Sequence, residues 1–221
     1  MSAATAQAGC AAGMPGRDCP LCPRLVEYRR TNRMANPDWF NAPVPSFGEL
    51  DAPVLVVGLA PGVRGANRTG RPFTGDFAGV LLYQTLLKVG LAQGSYAAVP
   101  TDGLRLRGCR VTNAVRCVPP GNLPVPVEVR ACNPFLTAEM AAMPRLVGVL
   151  ALGGLAHQAT LRARGLRPSH VPFRHGAVHQ LPDGLLVADS YHVSRLNTNT
   201  GRLTPAMFEA AVTALLQRIA G

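Results

Sequence analysis

Along the 221-residue chain, short and wholly apolar runs alternate with longer stretches whose apolar residues recur at helical spacing. "APVLVVGLA" (52–60) is β-rich and ends in glycine, as expected of a strand buried on both faces of a parallel sheet. "FAGVLLYQTLLKVGL" (77–91) follows with helical periodicity, and Gly90 supplies a C-cap. The alternation then repeats. "LRGCRVTNAV" (106–115) reads as a strand, Val127 to Met143 as a helix kinked or interrupted at Pro134, and "RLVGVLALGG" (145–154) as a third strand. "LAHQATLRARGL" is a helix, "HGAVHQL" an edge strand before the turn "PDG", and "GLLVADS" the last core strand. In the closing helix, Thr204 is the N-cap and Pro205 the first residue. Phe208, Val212, Leu215, Leu216 and Ile219 share one apolar stripe of it.

Strands alternating with helices predict an α/β domain with a central, mostly parallel sheet covered on both faces. Ligands of such sheets bind beyond the carboxyl ends of the strands. Three loops fall there: Gly58 to Asp76, "TNAVRCVPPGN" (112–122) and "SYHVSRLNTNTGR" (190–202). Residues 1–17 are small and aperiodic and read as a flexible leader, leaving 18–221 as a single domain. The leader has neither the basic start nor the apolar run of a secretory signal, and no stretch approaches a membrane span. A cytoplasmic protein is expected.

Charge adds a partner. The formal net charge is +10, and Lys88 is the only lysine, so arginine carries it. An excess of base on this scale points to a polyanion, foremost nucleic acid. The first loop, with Gly58, Gly62, Gly65, Gly70 and Gly75, resembles a phosphate cradle only superficially. It lacks the Gly-Lys-Ser/Thr of a P-loop, and Gly58, Ala60 and Val63 stand where a dinucleotide fingerprint requires three glycines.

Six cysteines in a reducing compartment are metal ligands or buried thiols rather than disulfides. Cys19 and Cys22 form a C-x-x-C, and Cys117 and Cys132 bracket a proline-stiffened loop. Together they offer four sulfur ligands, enough for an iron–sulfur cluster or for structural zinc. Cys109 lies in an apolar strand and Cys10 in the leader, and neither is assigned to the site.

"GLAPG…NRTGRPFTGD", "TNAVRCVPP" and "YHVSRLNTNTGR", in this order and with four cysteines, resemble a family 5 (type B) uracil-DNA glycosylase from Cys19 to the final helix. The resemblance implies the three-layer α/β/α uracil-DNA glycosylase fold and a [4Fe–4S] cluster on Cys19, Cys22, Cys117 and Cys132. It also implies hydrolysis of the N-glycosidic bond of uracil, hypoxanthine and other altered bases in DNA. The first loop would then hold a flipped-out base, because the glycosidic bond is out of reach inside the stack.

Carried over motif by motif, Phe73 is the stacking platform and Asn113 the reader of the base edge, with Gly58 and Ala60 lining the base site. Asp76 is the carboxylate that polarises water or stabilises the sugar cation, and His192 the donor to the departing base. Leu196 would wedge into the stack, while Arg64, Arg68, Arg71, Arg195 and Arg202 contact phosphates. The first strand is followed by Leu59 and Ala60, where relatives outside this family place a polar or acidic residue, so the burden shifts to Asp76 and to stabilisation of the leaving base. Val193 replaces the proline that usually follows the motif histidine, which is expected to loosen the placement of His192. The substrate is expected to be double-stranded damaged DNA and the enzyme a monomer. Two competing readings are a metal-stabilised DNA-binding module without catalysis and a nucleotide-binding enzyme.

Overall fold

Period-two alternation divides each central strand between two helical layers in a computed structural model that describes residues 14–221. Of the expected leader, 1–17, residues 1–13 with Cys10 lie outside the described residues, whereas Pro15 is buried and the Gly16 carbonyl accepts from the Cys19 amide at 3.0 Å. In β1 (Val54–Gly58), Val54 and Val56 face one core while Leu55 and Val57 face the other. With β4 (Cys109–Asn113), β5 (Gly148–Leu152) and β7 (Leu186–Ser190), β1 forms a parallel array in which every residue is buried. The order is β4-β1-β5-β7-β6, with β6 (Val178–Gln180) antiparallel at the edge.

On one face pack α3 (Phe77–Lys88) and α7 (Pro205–Ala220), through Leu82 and Leu86, and Phe208, Val212 and Leu215. On the other lie α1 (Pro23–Ala35), α4 (Pro126–Ala141) and α5 (Gly154–Ala163), through Leu25, Leu136 and Ala159. The three-layer α/β/α arrangement is the expected fold. Among the described residues, no helix is long and apolar enough to cross a membrane.

Local signals largely hold. Thr204 caps α7 by accepting from the Met207 amide at 3.2 Å, and Gly90 ends α3 in the left-handed region at φ 80°. One expectation narrows. Helix α4 runs through Pro134 without interruption, and Cys132 sits inside it, as the expected helix over Val127 to Met143 implies, so the loop after Cys117 is closed by a helix. Short elements escaped the periodicity: α2 (Ala66–Thr69) and α6 (Arg195–Asn199) within the functional loops, and the small hairpin of β2 (Ala92–Gln93) and β3 (Arg105–Leu106).

Candidate active site

All four parallel strands end at one edge of the sheet, and a cleft of about 870 Å³ opens there. Its floor is laid by register: Gly58 at the end of β1 pairs with Asn113 at the end of β4. A methyl group on Gly58 would lie 2.4 Å from Phe73 Cζ and 2.5 Å from Asn113 Oδ1. Only glycine lets ring and amide meet over the strand end. Phe73 adopts φ 51°, a left-handed conformation that a non-glycine residue holds only when its surroundings impose it. The imposing contacts are visible: Tyr83 donates to the Pro72 carbonyl at 2.6 Å and Tyr96 to the Phe73 carbonyl at 3.0 Å. Asn113 Oδ1 is buried with no hydrogen-bond partner.

Asp76 stands at the N-cap position of α3 but makes no capping hydrogen bond, and its Oδ1 is likewise buried without a partner. Burial raises its pKa above the ordinary carboxylate value, opposed by the amides of Gly79 and Ala78. Methyl groups on Gly62 or Gly65 would fall 2.8 Å or 2.1 Å from Asp76 Oδ2. These glycines therefore clear room for a carboxylate of their own loop.

Across the cleft, the His192 ring lies 6.3 Å from that of Phe73, centroid to centroid. Burial lowers its pKa, so the imidazole is neutral at pH 7 and can donate a hydrogen bond without carrying charge. Asn197 donates to the His192 carbonyl at 2.8 Å. The neighbouring Val193 is fully buried in the core. Its side chain packs in the core on the α3 and α7 face of the sheet.

Ala60, Arg64, Arg195 and Leu196 line the cleft, and Leu196 is 72% exposed. Arg68 and Arg202 are exposed outside the cleft lining, Arg202 stacked over Tyr191 at 4.6 Å. Arg71 requires correction as a phosphate contact. It is buried, donates to both carboxylate oxygens of Asp102 at 2.8 and 2.7 Å, and lies over the Phe47 ring at 5.1 Å. Its guanidinium ties the segment before Phe73 to the β2–β3 hairpin.

Cys19 and Cys22 precede and cap α1, Cys117 follows β4, and Cys132 lies in α4. Their sulfurs feel one another electrostatically, and burial pushes Cys22 up to about 11 and Cys117 up to about 12. Among the described residues, no three of these sulfurs lie within 4.8 Å of one another. Tetrahedral zinc, with bonds of about 2.3 Å, would space them at about 3.8 Å. Arg29 directs Nη1 at Cys117 Sγ from 3.5 Å, and the Arg116 amide is 3.4 Å from Cys132 Sγ. Such donors suit anionic thiolates, so the four residues fit a sulfur-ligated centre. Cys109 stands apart, donating to the Leu91 carbonyl.

Two supports had no sequence signal. Arg116 is 1% exposed and pairs with Glu139, which also accepts from Arg110 and Thr112; this buried network underlies the Asn113 loop. Asp189 in β7 is bonded to His157 Nδ1 at 2.7 Å and His179 Nε2 at 2.9 Å, and accepts from the Arg174 amide. His157 Nε2 must donate to the Val171 carbonyl, 2.8 Å away, so the contact between Nδ1 and the carboxylate needs a further proton. A protonated His157 meets that count, in keeping with its raised pKa.

A three-layer α/β/α fold whose strand ends gather the Phe73 ring, the Asn113 amide, the buried Asp76 carboxylate and the His192 imidazole in one cleft defines a class. The chain belongs to the uracil DNA glycosylase superfamily, whose family model matches residues 45–216. It is 48% identical over 195 residues to the type-5 uracil-DNA glycosylase of Thermus thermophilus, covering 86% of this chain and 89% of that one. The type-5 enzyme of Pyrobaculum aerophilum is 44% identical, over 85% of this chain and 83% of its own. A type-4 uracil-DNA glycosylase from the same organism is 34% identical over 68% of this chain and 63% of its own. The family 5 resemblance carried by the three loops is borne out.

Proposed function

We propose that the protein hydrolyses the N-glycosidic bond of uracil and other deaminated bases, such as hypoxanthine, in double-stranded DNA, leaving an abasic site. The observation that carries this is the pair of buried, partnerless acceptors in one cleft, Asp76 Oδ1 and Asn113 Oδ1. An unsatisfied buried acceptor costs about 1–3 kcal/mol, and a ligand that brings the missing donors recovers it. Asn113 offers Oδ1 and an N–H side by side. A lactam, with its ring N–H beside a carbonyl, complements that edge in uracil and hypoxanthine alike; cytosine and adenine present the reverse pattern.

In the reaction, the base stacks on Phe73 and the bond between C1′ and the base nitrogen breaks, its electron pair leaving with the base. His192 donates to the base as negative charge develops, an interaction strongest in the transition state. Ionised Asp76 stabilises the cationic sugar and takes a proton from the water whose oxygen bonds to C1′. The exposed Arg64, Arg68, Arg195 and Arg202 engage phosphates, and Leu196 enters the stack.

Cys19, Cys22, Cys117 and Cys132 hold a [4Fe–4S] cluster in this reading, supported by the Arg29 guanidinium and the Arg116 amide directed at Cys117 and Cys132. The cluster supplies structure, pinning α1 and α4 to the loop after β4, and hydrolysis needs no electron from it. A cytoplasmic monomer made of one domain after a short leader completes this reading.

The test is incubation with end-labelled duplex carrying one uracil, then alkali and strand resolution, with Asp76→Ala and His192→Ala alongside. Uracil-dependent scission, diminished in both variants, is expected. No scission on uracil, hypoxanthine or other altered bases would leave a DNA-binding module instead.

A further inference from the structure

The loop from β4 to α4 carries a second exposed leucine to the cleft that holds the base. Leu123 lines the cleft and is 60% exposed. An isolated surface leucine is unremarkable. Leu123 is not isolated, because Leu196 lines the same cleft from the loop after β7. The sheet order places β1 and β5 between their two parent strands, so the loops spring from points roughly 14 Å apart, at about 4.8 Å per strand. Phe73, packed over Gly58 at the end of β1, lies between them, and Asn113 ends β4, from which the Leu123 loop departs.

The backbone around Leu123 is held in advance. Pro119, Pro120, Pro124 and Pro126 surround it, and Gly121 and Asn122 turn the chain in the left-handed region at φ 64° and 58°. Arg24 in α1 donates to the Leu123 carbonyl at 3.3 Å. That arginine is clamped by Glu128 of α4, at 2.7 Å from both Nε and Nη2, and Glu128 also accepts from the Val125 amide at 2.8 Å. Asn122 further accepts from the Val63 amide, joining this loop to the glycine-rich one. A side chain presented on so constrained a loop loses little conformational freedom on binding, which suits it to enter a ligand rather than fold away from it.

We propose that Leu123 is a second DNA-probing residue, packing on the duplex beside the extruded nucleotide on the side opposite Leu196. The inference rests on the base-pocket reading of the cleft. It assigns the proline-rich loop to recognition of a disrupted duplex, where unstacked base faces offer apolar surface that intact DNA hides.

The test measures affinity by fluorescence anisotropy for a duplex with a tetrahydrofuran abasic analogue, the same duplex intact, and the lesion in a single strand. Proteins are wild type, Leu123→Ala, Leu123→Met and Leu196→Ala. Leu123→Ala is expected to weaken the lesion duplex roughly tenfold, as for returning most of a leucine's surface to water. The other two ligands should change by less than about twofold and Leu123→Met should restore binding, methionine being a near-isosteric apolar replacement. An unchanged lesion duplex overturns the proposal, as does an equal loss on intact or single-stranded DNA. Should the wild type not prefer the lesion duplex to the intact one, the base-pocket reading itself fails, and this proposal with it; a wild-type preference that Leu123→Ala leaves intact removes only Leu123.

Discussion

Replacing Gly58 by alanine adds one methyl group where the Phe73 ring meets the Asn113 amide. The new carbon would lie 2.4 Å from Phe73 Cζ and 2.5 Å from Asn113 Oδ1, so each must retreat by about 1 Å to reach ordinary contact. Neither yields cheaply. Phe73 is buried and its carbonyl is held by Tyr96, while Asn113 is the register partner of Gly58 across a ladder buried at every position. Overpacking of this kind costs about 1–3 kcal/mol, and spent on geometry at the reacting centre it corresponds to a rate loss of about 5- to 150-fold. Single-turnover excision of uracil from duplex, with melting followed by circular dichroism, measures the two consequences separately. Phe73→Leu in the Gly58→Ala background removes the far end of the ring, and should regain stability without regaining excision. Were Gly58→Ala to excise within about twofold of wild type at an unchanged melting temperature, Phe73 and Asn113 would not be positioned as argued.

In the proposed role for Asp76, a carboxylate whose pKa burial has raised, excision should fall as pH falls through that raised value; Asp76→Asn should be slow at every pH and lack this acid limb in a single-turnover pH profile. Arg71→Met should cost roughly 3 kcal/mol of stability, because it strands the Asp102 carboxylate, and leave the salt dependence of DNA binding intact. Arg64→Ala should do the opposite, lowering the salt slope by about one and sparing the melting temperature. Arg71 holds Asp102 down at about 2, so the stability this pair contributes is present above the ordinary 3.8 and lost as pH falls from there through about 2, measurable by acid denaturation of both proteins. His157 is displaced the other way: although burial opposes it, Asp189 and the Val171 carbonyl raise its pKa. Its contribution is present below the ordinary 6.5 and lost as pH rises through the raised value. Melting temperatures across about pH 5–9 should decline at the alkaline end, and less so in His157→Gln.

What could be read from the sequence, and what could not, follows the range of the forces involved. Parallel strands buried on both faces must be continuously apolar, so β1, β5 and β7 announce themselves. Thr204 and Pro205 do the same for α7, since capping is settled within a single turn. Long-range pairing has no such mark. Arg64, Arg68 and Arg71 are equivalent as letters in one loop, yet Arg71 leaves the surface because a carboxylate 31 residues downstream is folded against it. Arg116 and Arg29 are buried for the same kind of reason, by Glu139 and by the cysteine centre.

The glycines lie between these cases. Their density told correctly of a close approach, but the natural inference from glycine after a strand is that an anion approaches from outside. Here the approaching groups belong to the same chain: Phe73 and Asn113 at Gly58, and the Asp76 carboxylate at Gly62 and Gly65. This accounts physically for the failure of both phosphate fingerprints. Those spacings are set by the shape of a phosphate chain, whereas these are set by where Phe73, Asn113 and the Asp76 carboxylate stand. The space left between them is the proposed base site, which is why substitutions at the glycines test that proposal as directly as substitutions of Asp76 and His192.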